Sequence, residues 1–560
     1  MTPAHHGSAL VTYELDVEGM TCRDCERHGE TAVEASGGIE PQADWRRRRV
    51  RFAAPLTFDP QPVFAAIPAA SGQLHRYEPG QLRRLAPVQL DDESPDADAD
   101  LVIIGGGSAA FAAAIEAHQL GARVIMIERG TLGGTCVNIG CLPSKFLLRA
   151  AAVAHLAATR RYRGIRSQLE TVDLAAHVAQ KQDLIAALRR EKYEELVDYY
   201  GWELLHGTAR FVDPQTIAVG NRLIRARAFL IATGASPALP PLPGLAETPF
   251  LTSTSALDLE RVPTSLLVLG AGYVALELGQ AFQRLGSRVT LVQRRARLLP
   301  EIEPKLAEQL QQALTAEGIQ FCLGVLPLRV ERVPGGVRLI VQTSDGREEA
   351  LEAETLLVAT GRRPNVDVLD LAAAGVELDA RGAPRLDPTL RTTNPRIYAA
   401  GDVTLGPQFV YVAAAQGRLA ARNALLGEQQ ILRLDAVPAV IFTQPQLASV
   451  GLTRADAEAR GHRVVTGFAP AFVIARERVE LQPFGGVFLV ADAESGRILG
   501  VQALASAAGE LIEAATLAVH AGLTLADLRE HLAPYLTVGQ GLRLAALAVE
   551  RDPARLSCCA

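Results

Sequence analysis

Residues 99–129 read ADLVIIGGGSAAFAAAIEAHQLGARVIMIER. An apolar run turns on three glycines, passes through an alanine-rich segment and closes on a second apolar run that ends in an acid. The pattern predicts strand, tight turn, helix and strand. Gly105, Gly107 and Ala110 stand in a G-x-G-x-x-A spacing. Gly105 permits the turn, and Gly107 lets the backbone approach a pyrophosphate resting on the helix N-terminus. Glu128 ends the second strand, where an acid can hold a ribose hydroxyl pair. That context favours a dinucleotide site over a ligand-free glycine turn.

The design recurs at 265–294, SLLVLGAGYVALELGQAFQRLGSRVTLVQR, with Gly270, Gly272 and Ala275 in the same spacing. Here Gln293 takes the place of the acid, and Arg294, Arg295 and Arg297 follow. An acid repels a 2′-phosphate, whereas arginines bind one. The second site is therefore expected to take NADPH rather than NADH, the alternative being a solvated basic strand end. One acid-type site and one arginine-type site suggest FAD and NADPH on one chain. That pairing describes a hydride relay from nicotinamide to flavin and onward.

The fold class expected is α/β, with two Rossmann-like domains and an α/β dimerisation domain behind a smaller N-terminal unit. The 560 residues exceed one core and suggest roughly three to five units. A net charge of −6 gives no basic field for nucleic acid or anionic membranes. No apolar run reads as long enough to span a bilayer, and MTPAHHGSAL has no signal-peptide pattern, so the expected location is cytoplasmic. In the N-terminal unit, 1–80, LVTYELDVEG alternates as a strand and CRDCERHGETAVEASG forms a helix stopping at Gly37-Gly38. A strand near Ile39 to Trp45, RVRFAA, DPQPVFAAIPAAS and LHRYEP complete βαββαβ, the ferredoxin-like order. Residues 81–99 form an acidic, Pro- and Asp-rich linker. The FAD domain occupies 100–258 and 385–432, the NADPH domain 259–384, and the last unit 433–560.

Six of the seven cysteines fall into close pairs: Cys22 with Cys25, Cys136 with Cys141, and Cys558 with Cys559. Such pairs point to redox chemistry or metal binding rather than a disulfide framework. Cys322, in IQFCLGVL, reads as inert core. Cys136 and Cys141 lie in GGTCVNIGCLPSK, a glycine-rich turn running into a helix whose N-terminal field favours a thiolate at Cys141. Beside a flavin, such a pair accepts two electrons as a disulfide and delivers them as a dithiol. Cys22 and Cys25 offer two thiolates at a helix start, too few for structural zinc. They suit a soft cation that accepts few ligands, Cu(I) or Hg(II). In the tail RLSCCA, adjacent Cα atoms lie about 3.8 Å apart, below the disulfide range of roughly 4.4–6.8 Å, so a dithiol is expected. A polar, proline-broken segment of about ten residues could carry that pair up to roughly 35 Å.

GGTCVNIGCLPSK strongly resembles the active-site segment of the flavoprotein disulfide reductases, and the resemblance covers about 100–550. LIATGASP and LVATGRRPN resemble the family's two crossing segments, Ala232 to Pro237 and Ala359 to Asn365. TTNPRIYAAGDV resembles its second flavin motif, with Asp402 expected on the ribityl chain. The resemblance implies that Cys141 faces the flavin and Cys136 is the interchange thiol. It implies a Lys145–Glu277 pair near the flavin N5 and Tyr273 over the nicotinamide pocket. It further implies a homodimer, each active site being completed by the partner's C-terminal domain.

Disulfide-reducing members carry a His-Pro-Thr motif whose histidine protonates the leaving thiolate. This chain has EHLAPYLTVGQG: Ala533 takes the histidine's place before Pro534, Tyr535 follows, and His531 reads as a helix-end residue. The PYLT segment resembles the family's mercury-reducing branch. GMTCRDC, Gly19 to Cys25, resembles the heavy-metal-associated domain often fused to that branch. The expected function is NADPH-dependent reduction of Hg(II), presented as thiol complexes, to Hg(0). Cys22 and Cys25 would pass the metal to Cys558 and Cys559 of the partner subunit, and these to Cys136 and Cys141. Tyr535 and Tyr273 would line the cleft. The other readings are a disulfide reductase and a soft-metal carrier.

Overall fold

The computed structural model describes residues 10–21, 23–46, 48–55, 58–71, 76–85, 97–159 and 162–557. Cys22, Cys558, Cys559 and 86–96 of the expected linker lie outside the described residues. The chain divides into two compact units. The first comprises Met1–Gly134, Glu191–Ala235 and Pro364–Leu432; the second comprises Thr135–Arg190, Ser236–Arg363 and Arg433–Ala560.

The N-terminal part of the first unit is βαββαβ. Strands Leu10–Glu18, Ile39–Asp44, Arg49–Pro55 and Glu78–Leu85 form an antiparallel sheet, with Leu10–Glu18 between Arg49–Pro55 and Glu78–Leu85. Tyr13, Leu15 and Val17 alternate onto one face and bury with Val33, Phe52 and Ile67, some from the helices Arg23–Ala35 and Gln61–Ala69. One expectation is corrected: the last strand is Glu78–Leu85, not 74–79. Tyr77 is buried but does not pair. Pairing runs from Glu18 opposite Glu78 to Thr12 opposite Leu85, so the nine-residue partner strand draws 81–85 out of the expected linker.

The rest of the first unit holds a seven-stranded sheet. Its parallel part places Glu203–His206, Val124–Glu128, Ala99–Ile104, Arg222–Ile231 and Ile397–Ala399 side by side. In chain order that is 3-2-1-4-5, the doubly wound arrangement whose ligand crevice lies at the end of the first strand. The near-continuous apolar strands follow from burial on both faces. Helix Ser108–Gln119 packs so closely on Val410–Leu426 that a Cβ at Gly417 would stand 2.1 Å from Ala109 O.

The second unit repeats the design in a four-stranded parallel sheet: Gln320–Leu323, Arg288–Gln293, Ser265–Leu269 and Thr355–Val358. Cys322 sits half-buried on its edge strand rather than deep in the core, and burial first and Glu349 second push the thiol's pKa up. The C-terminal part is a five-stranded antiparallel sheet covered by helices Ala508–Ala521, Leu525–Glu530 and Gln540–Leu547.

Two further expectations change. Residues 134–158 are long and apolar enough, at mean hydropathy 1.3, to suit a bilayer by length and composition, which the reading of apolar runs missed. Its helix Cys141–Ala158 packs into the second unit: Leu147, Ala151 and Ala154 enter the core. The tail is also shorter than expected. A turn at Pro553–Arg555 brings Leu556 onto the C-terminal core, two residues before Cys558.

Candidate active site

In the first unit, Gly105 turns the chain at φ 120°, and a Cβ there would stand 2.3 Å from Ala232 O. Gly107 caps helix Ser108–Gln119, and Ala110 is buried beneath it. Gly134 comes so close that a Cβ on it would stand 2.8 Å from Gly107 Cα. Glu128 is fixed at the strand tip: Gly106 N–H donates to Oε2 at 2.6 Å and Gly130 N–H to Oε1 at 2.6 Å. Asp402 opens a short helical turn after Gly401, whose N–H donates to Gln416 Oε1 at 2.8 Å. The crossing segments meet here too: Thr233 Oγ1 donates to Asn365 O at 2.7 Å and Asn365 Nδ2 to Thr233 O at 3.0 Å.

The second unit makes the same turn. Gly270 has φ 114°, and a Cβ there would stand 2.4 Å from Ala359 O. Gly272 caps helix Tyr273–Arg284 with φ −83° and ψ −171°, close to the −94° and −169° of Gly107. A Cβ on Gly272 would meet nothing within 4 Å, so the space before this helix N-terminus is open. Ala275 is fully buried against the sheet. Arg294 and Arg295 are exposed beyond the strand end, and Arg297 donates to Pro300 O at 2.9 Å. Both turns fit a dinucleotide on their own geometry: backbone that excludes a side chain, next to a helix end rich in free N–H groups.

The cysteine pair lies in the second unit. Cys136 is partly buried in the turn Gly134–Asn138, and Cys141 is exposed as the first residue of helix Cys141–Ala158. Helix geometry puts Lys145 one turn below Cys141 on the same face. Lys145 Nζ donates to Glu277 Oε2 at 2.6 Å. Glu277, buried to 5% exposure, lies one turn below Tyr273 on the helix that starts at the second glycine turn. The second oxygen of Glu277 accepts from Phe442 N–H at 2.9 Å. Burial, and secondarily Glu301, push the Tyr273 phenol up to about 12, so it remains a neutral hydrogen-bond donor.

Residues 99–417 match the family described as pyridine nucleotide-disulphide oxidoreductase, and 437–546 match that family's dimerisation domain. The chain belongs to the pyridine nucleotide-disulphide oxidoreductase family, in its mercuric reductase branch. A mercuric reductase of Bacillus cereus is 48% identical over 98% of this chain and 87% of its own. One from Staphylococcus aureus is 44% identical over 98% of this chain and 99% of its own. Among solved structures, the Cu(II) complex of the flavoprotein disulfide reductase RclA from Escherichia coli superposes with a TM-score of 0.72. It is 28% identical and covers 81% of this chain and 99% of its own. Membership makes this mercuric reductase relative a flavoprotein oxidoreductase that uses FAD and a nicotinamide dinucleotide, with Hg(II) as the substrate metal. Its dimerisation domain makes it a homodimer.

The remaining expected residues are placed as follows. Cys25 is fully buried and its Sγ accepts from Thr21 N–H at 3.4 Å. Tyr535 is 47% exposed, between Leu532 and the left-handed Leu536. His531 ends helix Leu525–Glu530 and bonds Leu528 O through Nδ1 at 2.9 Å, as a helix-end residue does. Sequence reasoning missed Gly106, Gly130 and Gly134, whose role follows only from backbone approach. It also missed Phe442, which reaches Glu277 across 165 positions and carries no motif.

Proposed function

We propose that this enzyme reduces Hg(II) to Hg(0) with NADPH, through FAD and the Cys136–Cys141 dithiol, and receives its metal by thiol exchange. The observation that carries the reading is one bonded helix pair. The helix bearing Cys141 and Lys145 is joined through Glu277 to the helix rising from the second dinucleotide turn. Gly105, Gly107, Ala110, Glu128, Lys145 and Asp402 would hold FAD; Gly270, Gly272, Ala275, Arg294 and Arg295 would hold NADPH. Bound there, FAD would pass an electron pair from nicotinamide to Hg(II) held by the dithiol.

The chain's own residues do the rest. Cys141 heads its helix, and the partial positive charge there favours a thiolate that can hold Hg(II), while Cys136 would be the thiol that exchanges with incoming mercury–thiol complexes. One incoming thiolate displaces one outgoing thiol ligand at each exchange, so Hg(II) passes from carrier thiols to Cys136 and Cys141 without becoming a free ion. Soft thiolates suit this soft two-coordinate cation. Lys145 keeps a positive charge one turn from Cys141, and Glu277 fixes that charge. Tyr273 and Tyr535 would offer phenol hydroxyls to a departing ligand. Ala533 stands where a disulfide-reducing relative keeps its proton donor, which disfavours disulfide substrates. In the dimer, one subunit would present Tyr535, Cys558 and Cys559 to the dithiol of the other, and Cys22 with Cys25 would collect the metal. The balance is Hg²⁺ plus NADPH giving Hg(0), NADP⁺ and H⁺.

The test mixes enzyme, NADPH and excess small thiol, and adds Hg(II), oxidised glutathione or lipoamide separately. NADPH oxidation only with Hg(II), with volatile mercury trapped in equal amount, is the expected result. Turnover only with a disulfide overturns the reading, and so does tight metal binding without turnover.

A further inference from the structure

Phe442 follows strand Ala439–Ile441 in the C-terminal part of the second unit, far in sequence from the dithiol. Its backbone N–H donates to Glu277 Oε1 at 2.9 Å. Its ring centroid lies 4.7 Å from Lys145 Nζ. Lys145 Nζ donates to Glu277 Oε2 at 2.6 Å. One residue therefore grips both partners of the ion pair, the carboxylate by its backbone and the ammonium by its ring.

The two partners are not equally secure. The Glu277 side chain is 6% exposed and both its oxygens are bonded, whereas the Lys145 side chain is 35% exposed. An ammonium on a flexible four-carbon stem can swing into water unless something opposes it. The face of an aromatic ring within about 6 Å does so, because its quadrupole attracts the cation and its bulk blocks other rotamers.

We propose that Phe442 is a positioning residue for Lys145. Its ring pins the ammonium on the face that carries Cys141, so that the C-terminal domain sets how readily the flavin–dithiol system takes up electrons. A fixed cation stabilises the negative charge that develops there on reduction; a wandering, hydrated one stabilises it less. The inference rests on the flavoenzyme reading above, but its test needs neither mercury nor turnover.

Phe442→Leu keeps the backbone N–H and the apolar cover and removes the π face; Phe442→Tyr keeps the face. Each holoenzyme is equilibrated anaerobically with a redox dye, and the two-electron potential is read from the flavin and dye spectra. Thermal melting is followed in parallel. The expected result is that Phe442→Leu is harder to reduce by about threefold at equilibrium, roughly 14 mV for a two-electron couple, while Phe442→Tyr matches the parent. In a Lys145→Met background, Phe442→Leu should change nothing. If Phe442→Leu fails to fold, Phe442→Met takes its place with the same expectation. A parent-like potential in the folded Leu or Met variant overturns the proposal. An unchanged shift in the Lys145→Met background, or a Tyr variant displaced as far as Leu, overturns it too. A parent enzyme that titrates its flavin normally yet shows no mercury-dependent NADPH oxidation would instead fault the function, leaving Phe442's role to the dye titration.

Discussion

Gly106 and Glu128 meet across the first glycine turn, with Gly106 N–H donating to Glu128 Oε2 at 2.6 Å. Gly130 N–H holds the other oxygen at 2.6 Å, so the carboxylate is set at the strand tip before any ligand arrives. Pre-set acceptors lower the ordering cost of binding. Glu128→Ala removes the two bonds that shape the turn together with the proposed ribose acceptor. Hydrogen bonds to a charged group are worth about 1.5–3 kcal/mol, so FAD should bind roughly 10- to 100-fold more weakly. Flavin fluorescence released on dilution measures this directly, and undiminished retention would remove Glu128 from the site.

Arg294 and Arg295 are exposed at the end of the strand Arg288–Gln293, and among the described residues neither side chain makes an ion pair. Cations left open at this position suit a 2′-phosphate. Replacing both by alanine should lower kcat/KM for NADPH by about 10- to 100-fold and leave NADH nearly unchanged. Parallel assays with the two dinucleotides give the ratio. An unchanged ratio would leave the arginines as a solvated strand end.

Both glycine turns were legible because their chemistry is local: strand, turn and helix lie within thirty or so residues, and each step of the pattern has a backbone reason. The repeat strengthened the reading, and Gly105 and Gly270 do adopt nearly the same φ, 120° and 114°. Lys145 and Glu277 could be placed only through the resemblance, since nothing local joins two helices 132 positions apart. Phe442 was invisible for the same reason. The strand Glu78–Leu85 was misplaced because strand limits are set by the pairing partner, and Tyr77, inside the expected span, is buried without pairing. The anchoring of Leu556 was missed because a single leucine in a polar tail has no periodicity to read.

The Tyr273 phenol, raised to about 12 by burial and Glu301, predicts an alkaline effect on stability. Below about pH 10 the phenol is protonated in both folded and unfolded chains and contributes no pH dependence. Between pH 10 and 12 the unfolded chain loses its proton first, so the unfolded state is favoured and stability falls as pH rises. Two units correspond to at most about 2.7 kcal/mol. Tyr273→Phe should lose less stability than the parent across that window, by up to this amount, in urea unfolding at stepped pH. Parallel curves would mean that the phenol is more hydrated than its surroundings indicate.

The anchoring of Leu556 sharpens what Cys558 and Cys559 can do. With Leu556 packed on the C-terminal core, the three residues from it to Cys559 reach about 10 Å rather than 35 Å. A relay over that distance needs the receiving thiols close to where Leu556 docks in the dimer, and it leaves the nicotinamide end of the enzyme untouched. Replacing both cysteines by alanine should therefore lower kcat/KM for thiol-bound Hg(II) by about tenfold or more, the effect of losing a transfer step worth at least 1.4 kcal/mol. The rate of flavin reduction by NADPH, followed by stopped flow without mercury, should stay as it is. Lengthening the segment between Leu556 and Ser557 by two glycines should preserve turnover, because it adds reach without removing a thiol. Equal mercury turnover with and without the cysteine pair would mean that carrier thiols deliver the metal straight to Cys136 and Cys141.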